Sequence, residues 1–336
     1  MTWNFYTKEI ISYVGIISFK RLMSLLGNYA GYFISILLKR PVILCLPYSS
    51  SIEPTTNCNL KCPECPVGKS SLTRNKGSIS FPNFKEIINK IEKHTLYLSL
   101  YLQGEPLLNC DLDKMIAFAC TRKIYTCIST NAHFLTAQVS ERLIKAGLKK
   151  IIISLDGVSQ ETYSSYRING EFEKVAQNIR ILTNTRKELK YQYPLVVLQF
   201  IVFRTNEHEI ATIKTLGKEL GADRVEIKTA QHYDLSHKNP LITTNRKFSR
   251  YQQNQSGNWE LKKKPQNRCL RLWTNSVFTW DGAVIPCCYD KDATYSLGNI
   301  YQRSFKTIWK GIAFMTYRRG ILKDRKQVDI CRNCGE

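Results

Sequence analysis

The chain is organised around one stretch, Cys58-Asn59-Leu60-Lys61-Cys62-Pro63-Glu64-Cys65, which places three thiols within eight residues at the spacing C-x3-C-x2-C. A structural zinc site has four ligands, and no further Cys or His lies within ten residues on either side of the three. An iron–sulfur cluster can leave one iron without a protein ligand. The stretch therefore favours a [4Fe–4S] cluster with one open iron; the alternatives are ordinary loop cysteines or part of a zinc site.

Around this stretch, short apolar runs alternate with longer segments of helical periodicity. The predicted strands are 51–56, 96–102, 124–129, 149–155, 195–203 and 223–229. The predicted helices are 82–93, 111–121, 136–146, 171–189 and 206–220, with Gly147 and Gly221 at C-terminal caps. Such alternation predicts parallel strands with right-handed crossovers. Six units are too few for an eight-stranded barrel, so we predict an α/β fold with an open, partial (β/α)6 barrel and a site at the carboxyl ends of its strands.

Composition restricts the partners and the compartment. The formal net charge of +22, from 49 Lys+Arg against 27 Asp+Glu, favours anionic partners. The sequence contains no zinc-finger spacing and no aromatic-basic motif of an RNA-recognition module, so no nucleic-acid partner is expected. Twelve cysteines are too few for a disulfide scaffold of this length, and their clustering is typical of metal ligation in a reducing compartment. We predict a cytoplasmic protein.

The predicted domains are an N-terminal apolar and basic helical extension (1–48), the barrel (49–230), a basic connector (231–268) and a C-terminal iron–sulfur domain (269–336). In the extension, residues 22–38 run seventeen positions without a charge between Lys20-Arg21 and Lys39-Arg40. That length is marginal for a spanning helix. Two alternatives carry equal weight: a helix on an anionic membrane surface, which would make the protein membrane-associated, or a helical pair packed on the barrel.

Polar motifs follow three of the predicted strands. They are Gln103-Gly104-Glu105-Pro106, Ser129-Thr130-Asn131 and Ser154-Leu155-Asp156-Gly157. Glycine permits close backbone approach to a ligand, and the carboxyl ends of parallel strands meet at one edge of a sheet. Taken singly, each motif is more typical of a turn than of a site.

In this order, the motifs and the cysteine stretch resemble those of radical S-adenosylmethionine enzymes over residues 51–336. The resemblance implies that Cys58, Cys62 and Cys65 hold a [4Fe–4S] cluster whose open iron binds S-adenosylmethionine. The family's Gly-Gly-Glu-Pro motif corresponds to 103–106, which nominates Gln103, Gly104 and Glu105 as contacts to the methionine amino group. Asn131, Ser154 and Asp156 are the corresponding candidates for ribose and carboxylate contacts. Ala132 stands where the family's Thr-Asn-Gly has glycine, which puts the local backbone conformation in question.

The last part of the chain resembles the SPASM extension of these enzymes, because Gly282-x4-Cys287 follows an isolated Cys269. The resemblance implies that Cys269, Cys287, Cys331 and Cys334 bind one auxiliary cluster, expected to be a [4Fe–4S] cluster. Cys288 is an alternative to Cys287, and zinc is an alternative metal because four thiolates suit it equally.

The resemblance implies reductive cleavage of S-adenosylmethionine to a 5′-deoxyadenosyl radical that abstracts hydrogen from a substrate. Peptide or protein maturation is the favoured reaction, and a flavodoxin or ferredoxin is the expected reductant. Radical oxidation or remodelling of a sugar or lipid-linked saccharide is the alternative enzymatic function. A non-catalytic iron–sulfur or zinc module with a nucleic-acid partner is the alternative of another class. No catalytic side chain is nominated.

Overall fold

Six parallel strands form the main wall of the molecule. The computed structural model describes residues 2–335. The strands are β1 (Ser49–Ile52), β2 (Tyr97–Ser99), β3 (Tyr125–Thr130), β4 (Lys150–Ser154), β5 (Leu195–Val202) and β6 (Arg224–Thr229). They lie side by side in chain order, and each neighbouring pair is parallel. This architecture confirms the predicted α/β partial barrel.

Helices connect the strands and cover the outer face of the wall. Their bounds are α1 (Thr2–Val14), α2 (Phe19–Leu38), α3 (Phe81–Ile91), α4 (Leu112–Thr121), α5 (Ala137–Lys145), α6 (Gln160–Tyr166), α7 (Phe172–Glu188), α8 (Ile210–Glu219), α9 (Arg271–Thr274), α10 (Phe305–Trp309), α11 (Ile312–Asp324) and α12 (Asp329–Arg332). Short 3-10 turns occur at Pro106–Leu108, Glu207–Glu209 and Arg325–Gln327. Gly147 and Gly221 have φ of 85° and 75°, which confirms the predicted helix caps.

Helix α3 shows how the sequence specifies these elements. The Ser80 side chain accepts a hydrogen bond from the Asn83 backbone and so caps its first turn. Four apolar side chains lie on the same face of the helix and are buried against the sheet: Phe84, Ile87, Ile88 and Ile91. Burial of that face, more than helix propensity, stabilises the helix.

Two elements differ from the prediction. Strand β1 ends at Ile52 rather than at 56, because the following residues turn away to bond the segment at 77–79: Thr56 N donates to Gly77 O at 2.9 Å, and Ile79 N donates to Pro54 O at 3.0 Å. Helix α6 was not predicted from the sequence. Its seven residues begin at a capping box formed by Ser159 and Thr162, a local signal that periodicity does not detect.

The C-terminal part continues the same sheet. Strand β9 (Asn275–Phe278) pairs in parallel with β1, followed outward by the antiparallel strands β10 (Ala283–Ile285) and β11 (Gly298–Asn299). Within the described residues the sheet therefore has nine strands. The basic connector carries a separate antiparallel hairpin of β7 (Tyr251–Gln253) and β8 (Trp259–Leu261).

The N-terminal helices pack against the barrel. The Tyr13 ring of α1 stacks on Tyr125 at 4.7 Å between centroids, and Phe5 packs with Leu195. Tyr125 and Leu195 begin β3 and β5, so α1 crosses the amino ends of the strands. Among the described residues no single helix is both long and apolar enough to cross a bilayer. Helices α1 and α2 pass that test only as a pair, with a bend of 117° between them.

Candidate active site

The three-cysteine loop lies at the carboxyl edge of the barrel, after β1. Cys58, Cys62 and Cys65 pack in one small cluster with the side chains of Leu60, Tyr166, Phe203 and Ala230. Gly68 presses against this loop, and a Cβ there would lie 2.5 Å from Cys62 N and 2.6 Å from Cys62 O. Gly68 carries no recognisable signal in the sequence, because the need for glycine arises only from this close approach.

Gly104 and Glu105 join the carboxyl end of β2 to the cysteine loop. Gly104 has φ of 72°, and a Cβ there would lie 2.4 Å from Thr55 O and 2.7 Å from Asn57 O. The backbone N–H of Glu105 donates to Asn57 O at 2.7 Å. Only glycine combines the left-handed conformation with this contact. The preceding Gln103 is buried at the same strand end.

The buried Glu105 carboxylate reaches across to the end of β3. Its Oε1 accepts hydrogen bonds from Thr130 Oγ1 at 2.6 Å and Leu107 N at 3.1 Å, and its Oε2 accepts one from Asn131 N at 2.7 Å. Burial raises the pKa of Glu105, and these hydrogen bonds act in the opposite direction. The carboxylate therefore fixes the relative position of two neighbouring strand ends.

Asn131 connects β3 to the cysteine loop. Its Nδ2 donates to Asn59 Oδ1 at 2.8 Å and lies 3.9 Å from Cys58 Sγ. The next residue, Ala132, has φ of 62° and is fully buried. The chain therefore adopts the left-handed conformation that glycine favours, although alanine occupies the position.

Asp156 lies in a buried ion pair after β4. Its Oδ2 accepts from Arg167 at 2.7 Å (Nε) and 2.5 Å (Nη2), and its Oδ1 accepts from Ile201 N at 2.7 Å. Arg167 Nη1 lies 3.7 Å from Cys62 Sγ. Asp156 thus approaches the cysteine loop through Arg167. Ser154 is the last residue of β4 and is half-buried. It pairs in register with Gln199 of β5, and its side chain lies on the other face of the sheet from that of Ile153.

A second connection to the cysteine loop comes from the connector. Glu64 Oε1 lies 3.0 Å from His232 Nδ1, and Glu64 Oε2 accepts from Tyr233 N at 3.2 Å. Burial raises the Glu64 pKa, but these hydrogen bonds outweigh burial and hold the pKa below its ordinary value. His232 N donates to Tyr251 Oη at 3.0 Å, and Tyr251 Oη donates to Asn333 Oδ1 at 2.9 Å. This network links the first cysteine loop to the segment between Cys331 and Cys334, and no local sequence pattern predicts it.

The four C-terminal cysteines come together in one buried pocket. Cys269, Cys287, Cys331 and Cys334 line it together with Leu272, Tyr317, Arg325 and Ile330. Burial raises the pKa of Cys287 well above its ordinary value. Cys288 instead faces a different cavity, where Arg271 Nη1 lies 3.5 Å from its sulfur. The structure therefore places Cys287, and not Cys288, with the other three thiols.

Both thiol sets are candidates for metal ligation, although within residues 2–335 no three His, Cys, Asp or Glu side chains are arranged as a preformed metal site. Burial raises the pKa of Cys58 to about 11 and also raises that of Cys62, so these thiols need a metal or a cation to ionise. Burial also raises the pKa of Cys331, and the nearby Arg325 guanidinium acts in the opposite direction, as Arg167 does for Cys62. Each thiol set therefore has one guanidinium that favours its anionic form against the effect of burial.

A cavity lies beside strands β1 and β2, away from the predicted cofactor contacts. It has a volume of about 650 Å³ and extends between the N-terminal helices and strands β1 and β2. Tyr97 and Tyr101 line it on one side, and Arg271 and Cys288 line it on another. None of the predicted cofactor contacts lines this cavity. It therefore offers room for a separate ligand beside the cysteine sites.

Two family models match separate parts of the chain. The model of the radical SAM superfamily matches residues 52–216, and that of the SPASM iron–sulfur cluster-binding domain matches residues 269–335. These two matches cover about two thirds of the chain. They indicate S-adenosylmethionine and a [4Fe–4S] cluster as cofactors, with an auxiliary iron–sulfur cluster in the second segment.

Two curated proteins are similar over part of their length. The AdoMet-dependent heme synthase of Methanosarcina barkeri is 28% identical over 171 residues, which are 51% of this chain and 47% of that protein. The PqqA peptide cyclase of Bradyrhizobium diazoefficiens is 27% identical over 196 residues, which are 58% of this chain and 49% of that protein. The chain thus spans about half the length of these curated relatives.

Solved structures share the fold. Streptococcus suis SuiB bound to precursor peptide SuiA superimposes with a TM-score of 0.62 at 18% identity, covering 87% of this chain and 70% of that one. At this identity the likeness shows the fold alone. Together with the two family matches it leads to one conclusion: the chain belongs to the radical SAM superfamily and carries a SPASM iron–sulfur domain at residues 269–335.

Proposed function

We propose that this protein is a radical SAM enzyme that removes hydrogen from a peptide or protein during its maturation. The observation that carries the proposal is the position of Cys58, Cys62 and Cys65 at the barrel edge beside Gly104 and Glu105. When bound, the cluster and S-adenosylmethionine supply a 5′-deoxyadenosyl radical, which can abstract hydrogen from an unactivated C–H bond. The side chains of this protein hold the cofactors and control access.

In this proposal the three thiols of the first loop ligate the [4Fe–4S] cluster. Arg167 stabilises the thiolate of Cys62, and Asp156 positions Arg167 through the buried ion pair. Three ligands leave one iron for the cofactor. Asp156, whose oxygens already accept bonds from Arg167 and Ile201, acts on the cofactor through that guanidinium.

S-adenosylmethionine would bind along the neighbouring strand ends. Glu105 Oε2 accepts one hydrogen bond from Asn131 N and retains a lone pair for the cofactor's amino group. Gly104 lets the backbone of residues 103–105 approach closely, and Gln103 adds backbone groups at the same edge. Asn131 and Ser154 supply polar side chains for the carboxylate and ribose.

The C-terminal pocket would hold one auxiliary cluster, ligated by Cys269, Cys287, Cys331 and Cys334. Four thiolates satisfy every iron of a [4Fe–4S] cluster, which favours electron transfer over substrate ligation. These four cysteines would hold a cluster that could supply an acceptor for the electron left on the substrate after hydrogen abstraction. Metal analysis would show whether this pocket binds iron or zinc. Electron paramagnetic resonance would identify the type of iron–sulfur cluster.

Three observations support a peptide substrate. One curated relative is named a peptide cyclase, and the SuiB structure contains a precursor peptide. The cavity of about 650 Å³ is wide enough for several side chains and is lined by tyrosines that can stack and donate hydrogen bonds. The net charge of +22 favours an acidic segment of substrate.

The decisive experiment is anaerobic reconstitution with iron and sulfide, followed by reduction with a flavodoxin or ferredoxin. We expect 5′-deoxyadenosine from wild-type protein, and more of it when an acidic peptide substrate is present. Zinc without iron, or an intact reduced cluster that cleaves no cofactor, would overturn the enzymatic function. Cleavage stimulated by a saccharide and not by peptides would replace the proposed substrate class.

A further inference from the structure

Helix α2 has its polar face buried and its apolar face exposed. The side chains that it buries against the barrel are Arg21, Ser24, Asn28, Gly31, Tyr32 and Ser35. A helix on the surface of a water-soluble domain normally shows the reverse arrangement. The orientation of α2 therefore needs an explanation other than the burial of apolar area.

Specific hydrogen bonds fix α2 in this orientation. Arg21 donates to the backbone carbonyls of Ile16, Glu92, Arg122 and Lys123, and its guanidinium is buried in doing so. Further along the helix, Asn28 Nδ2 donates to Leu46 O at 3.2 Å. Since a buried guanidinium is costly without partners, these contacts prevent the helix from rotating its apolar face inward.

The exposed face of α2 is a continuous apolar stripe. The large side chains that it exposes are Phe19, Leu22, Met23, Leu26, Tyr29, Phe33, Ile34, Leu37 and Leu38. Phe19 and Leu37, near its two ends, are 78% and 81% exposed. Helix α1 adds Tyr6, Ile10, Ile11 and Val14. An apolar surface of this extent marks an interaction site.

The charges around this surface have one sign. Lys20, Lys39 and Arg40 are exposed at the ends of α2. The one acidic residue of the segment 1–48, Glu9, is turned inward and forms an ion pair with Lys150 at the start of β4. A second copy of the chain would bring the basic ends together without acidic residues from the segment to pair them, whereas anionic lipid headgroups complement them.

We propose that α1 and α2 dock the protein on the surface of an anionic phospholipid bilayer. The apolar stripe inserts at the level of the acyl-chain boundary, and the three basic residues contact headgroup phosphates. In this proposal the segment lies along the membrane surface, because the buried polar face of α2 stays packed on the barrel while its apolar face meets the lipid. This inference is independent of the proposed catalytic function.

Docking would also orient the barrel. Helix α1 contacts the first residues of β3, β4 and β5, at the amino ends of the strands, whereas the cysteine loop lies at the carboxyl ends. The membrane face and the cofactor site are thus at opposite ends of the barrel. A substrate would reach the cofactor site from the aqueous side, as a soluble peptide does.

Cosedimentation of the full reconstituted chain with phospholipid vesicles tests this proposal. We expect binding to vesicles that contain phosphatidylglycerol, and weaker binding as salt rises or when phosphatidylcholine is used alone. Phe33→Ser combined with Leu37→Ser should weaken binding by about tenfold or more. Lys39→Glu combined with Arg40→Glu should weaken binding to the anionic vesicles by about fivefold for each basic residue replaced. The same variant should bind vesicles of phosphatidylcholine alone almost as the wild type does.

Ile312→Ser is the matched control, because Ile312 is 86% exposed on α11, outside the N-terminal segment. It should bind vesicles as wild type does, and all variants should form 5′-deoxyadenosine at the wild-type rate. The proposal is overturned if wild type binds neither vesicle, or if Ile312→Ser loses binding equally. It is also overturned if light scattering shows that the wild type is a dimer and that Phe33→Ser combined with Leu37→Ser is a monomer.

Discussion

The two cysteine sites are built in different ways. The first is a contiguous loop of eight residues, surrounded by the polar groups Glu105, Asn131 and Arg167 at an edge where strand ends converge. The second gathers thiols from three separate segments into a largely apolar pocket beside Tyr317 and Ile330. Polar surroundings suit the exchange of a ligand, whereas a closed apolar pocket suits electron transfer. The difference supports the separate roles that the proposed function gives to the two sites.

Removal of one thiol from the first site should give the largest effect. Cys62→Ala should abolish 5′-deoxyadenosine formation and lower the iron content by about four per chain, because two thiols do not hold a [4Fe–4S] cluster. Cys110→Ala, which removes an exposed cysteine outside both sites, is the control and should behave as wild type. Iron analysis with product chromatography measures both. Full activity of Cys62→Ala would refute the assignment of the first site.

Loss of the second site should separate cofactor cleavage from substrate turnover. Cys331→Ser with Cys334→Ser should keep 5′-deoxyadenosine formation within about threefold of wild type. Product formation should fall to background, because the electron left on the substrate has no acceptor. Electron paramagnetic resonance of the reduced protein should show one cluster signal instead of two. Equal loss of both activities would mean that the second site is needed for the first.

The cysteine loop could be predicted from the sequence, but several contacts that hold the loop and the sheet in place could not. Three closely spaced thiols and the order of the strand-end motifs are local patterns, and so the barrel, the loop position and Gly104 follow from them. The Glu64–His232 contact depends on segments that only tertiary folding brings together, and the need for glycine at 68 arises from a close backbone approach within the loop that residue spacing does not reveal. The continuation of the barrel sheet by β9 is non-local in the same sense, since β9 pairs with β1 across more than two hundred residues.

Glycines beside the two sites test how rigid each one is. Gly104→Ala places a methyl group against backbone oxygens at φ of 72° and should lower the free energy of unfolding by about 3 kcal/mol and abolish cofactor binding. Gly282→Ala meets the Tyr301 ring, 2.3 Å away, which can shift, so a smaller loss is expected. Gly257→Ala, at φ of 77° with no neighbour within 4 Å, isolates the backbone strain at about 1 kcal/mol. Denaturant unfolding measures all three; equal losses would show that crowding plays no part.

His232 tests whether the two sites are mechanically connected. His232→Phe keeps the ring and removes the hydrogen bond to buried Glu64, so stability should fall by about 2 kcal/mol. Because Glu64 lies between Cys62 and Cys65, we also expect the reduction potential of the first cluster to shift in the loaded protein. His237→Phe, at an exposed position of the same segment, is the control. A loss of stability with an unchanged potential would make His232 a structural residue only.

The smallest expected effect concerns Ala132, which holds a glycine-like conformation beside Asn131. Ala132→Gly relieves about 1 kcal/mol of left-handed strain, but it removes a fully buried methyl group and adds chain entropy to the unfolded state. These terms nearly cancel, so we expect a change within about 0.5 kcal/mol in denaturant unfolding. Lys190→Gly, at φ of 57° on an exposed turn, relieves the same strain at the same entropic cost without removing a buried methyl group, so it should stabilise the protein by about 0.5 kcal/mol. If Ala132→Gly stabilises as much as Lys190→Gly does, packing of the methyl group contributes nothing, and the first site tolerates glycine and alanine equally.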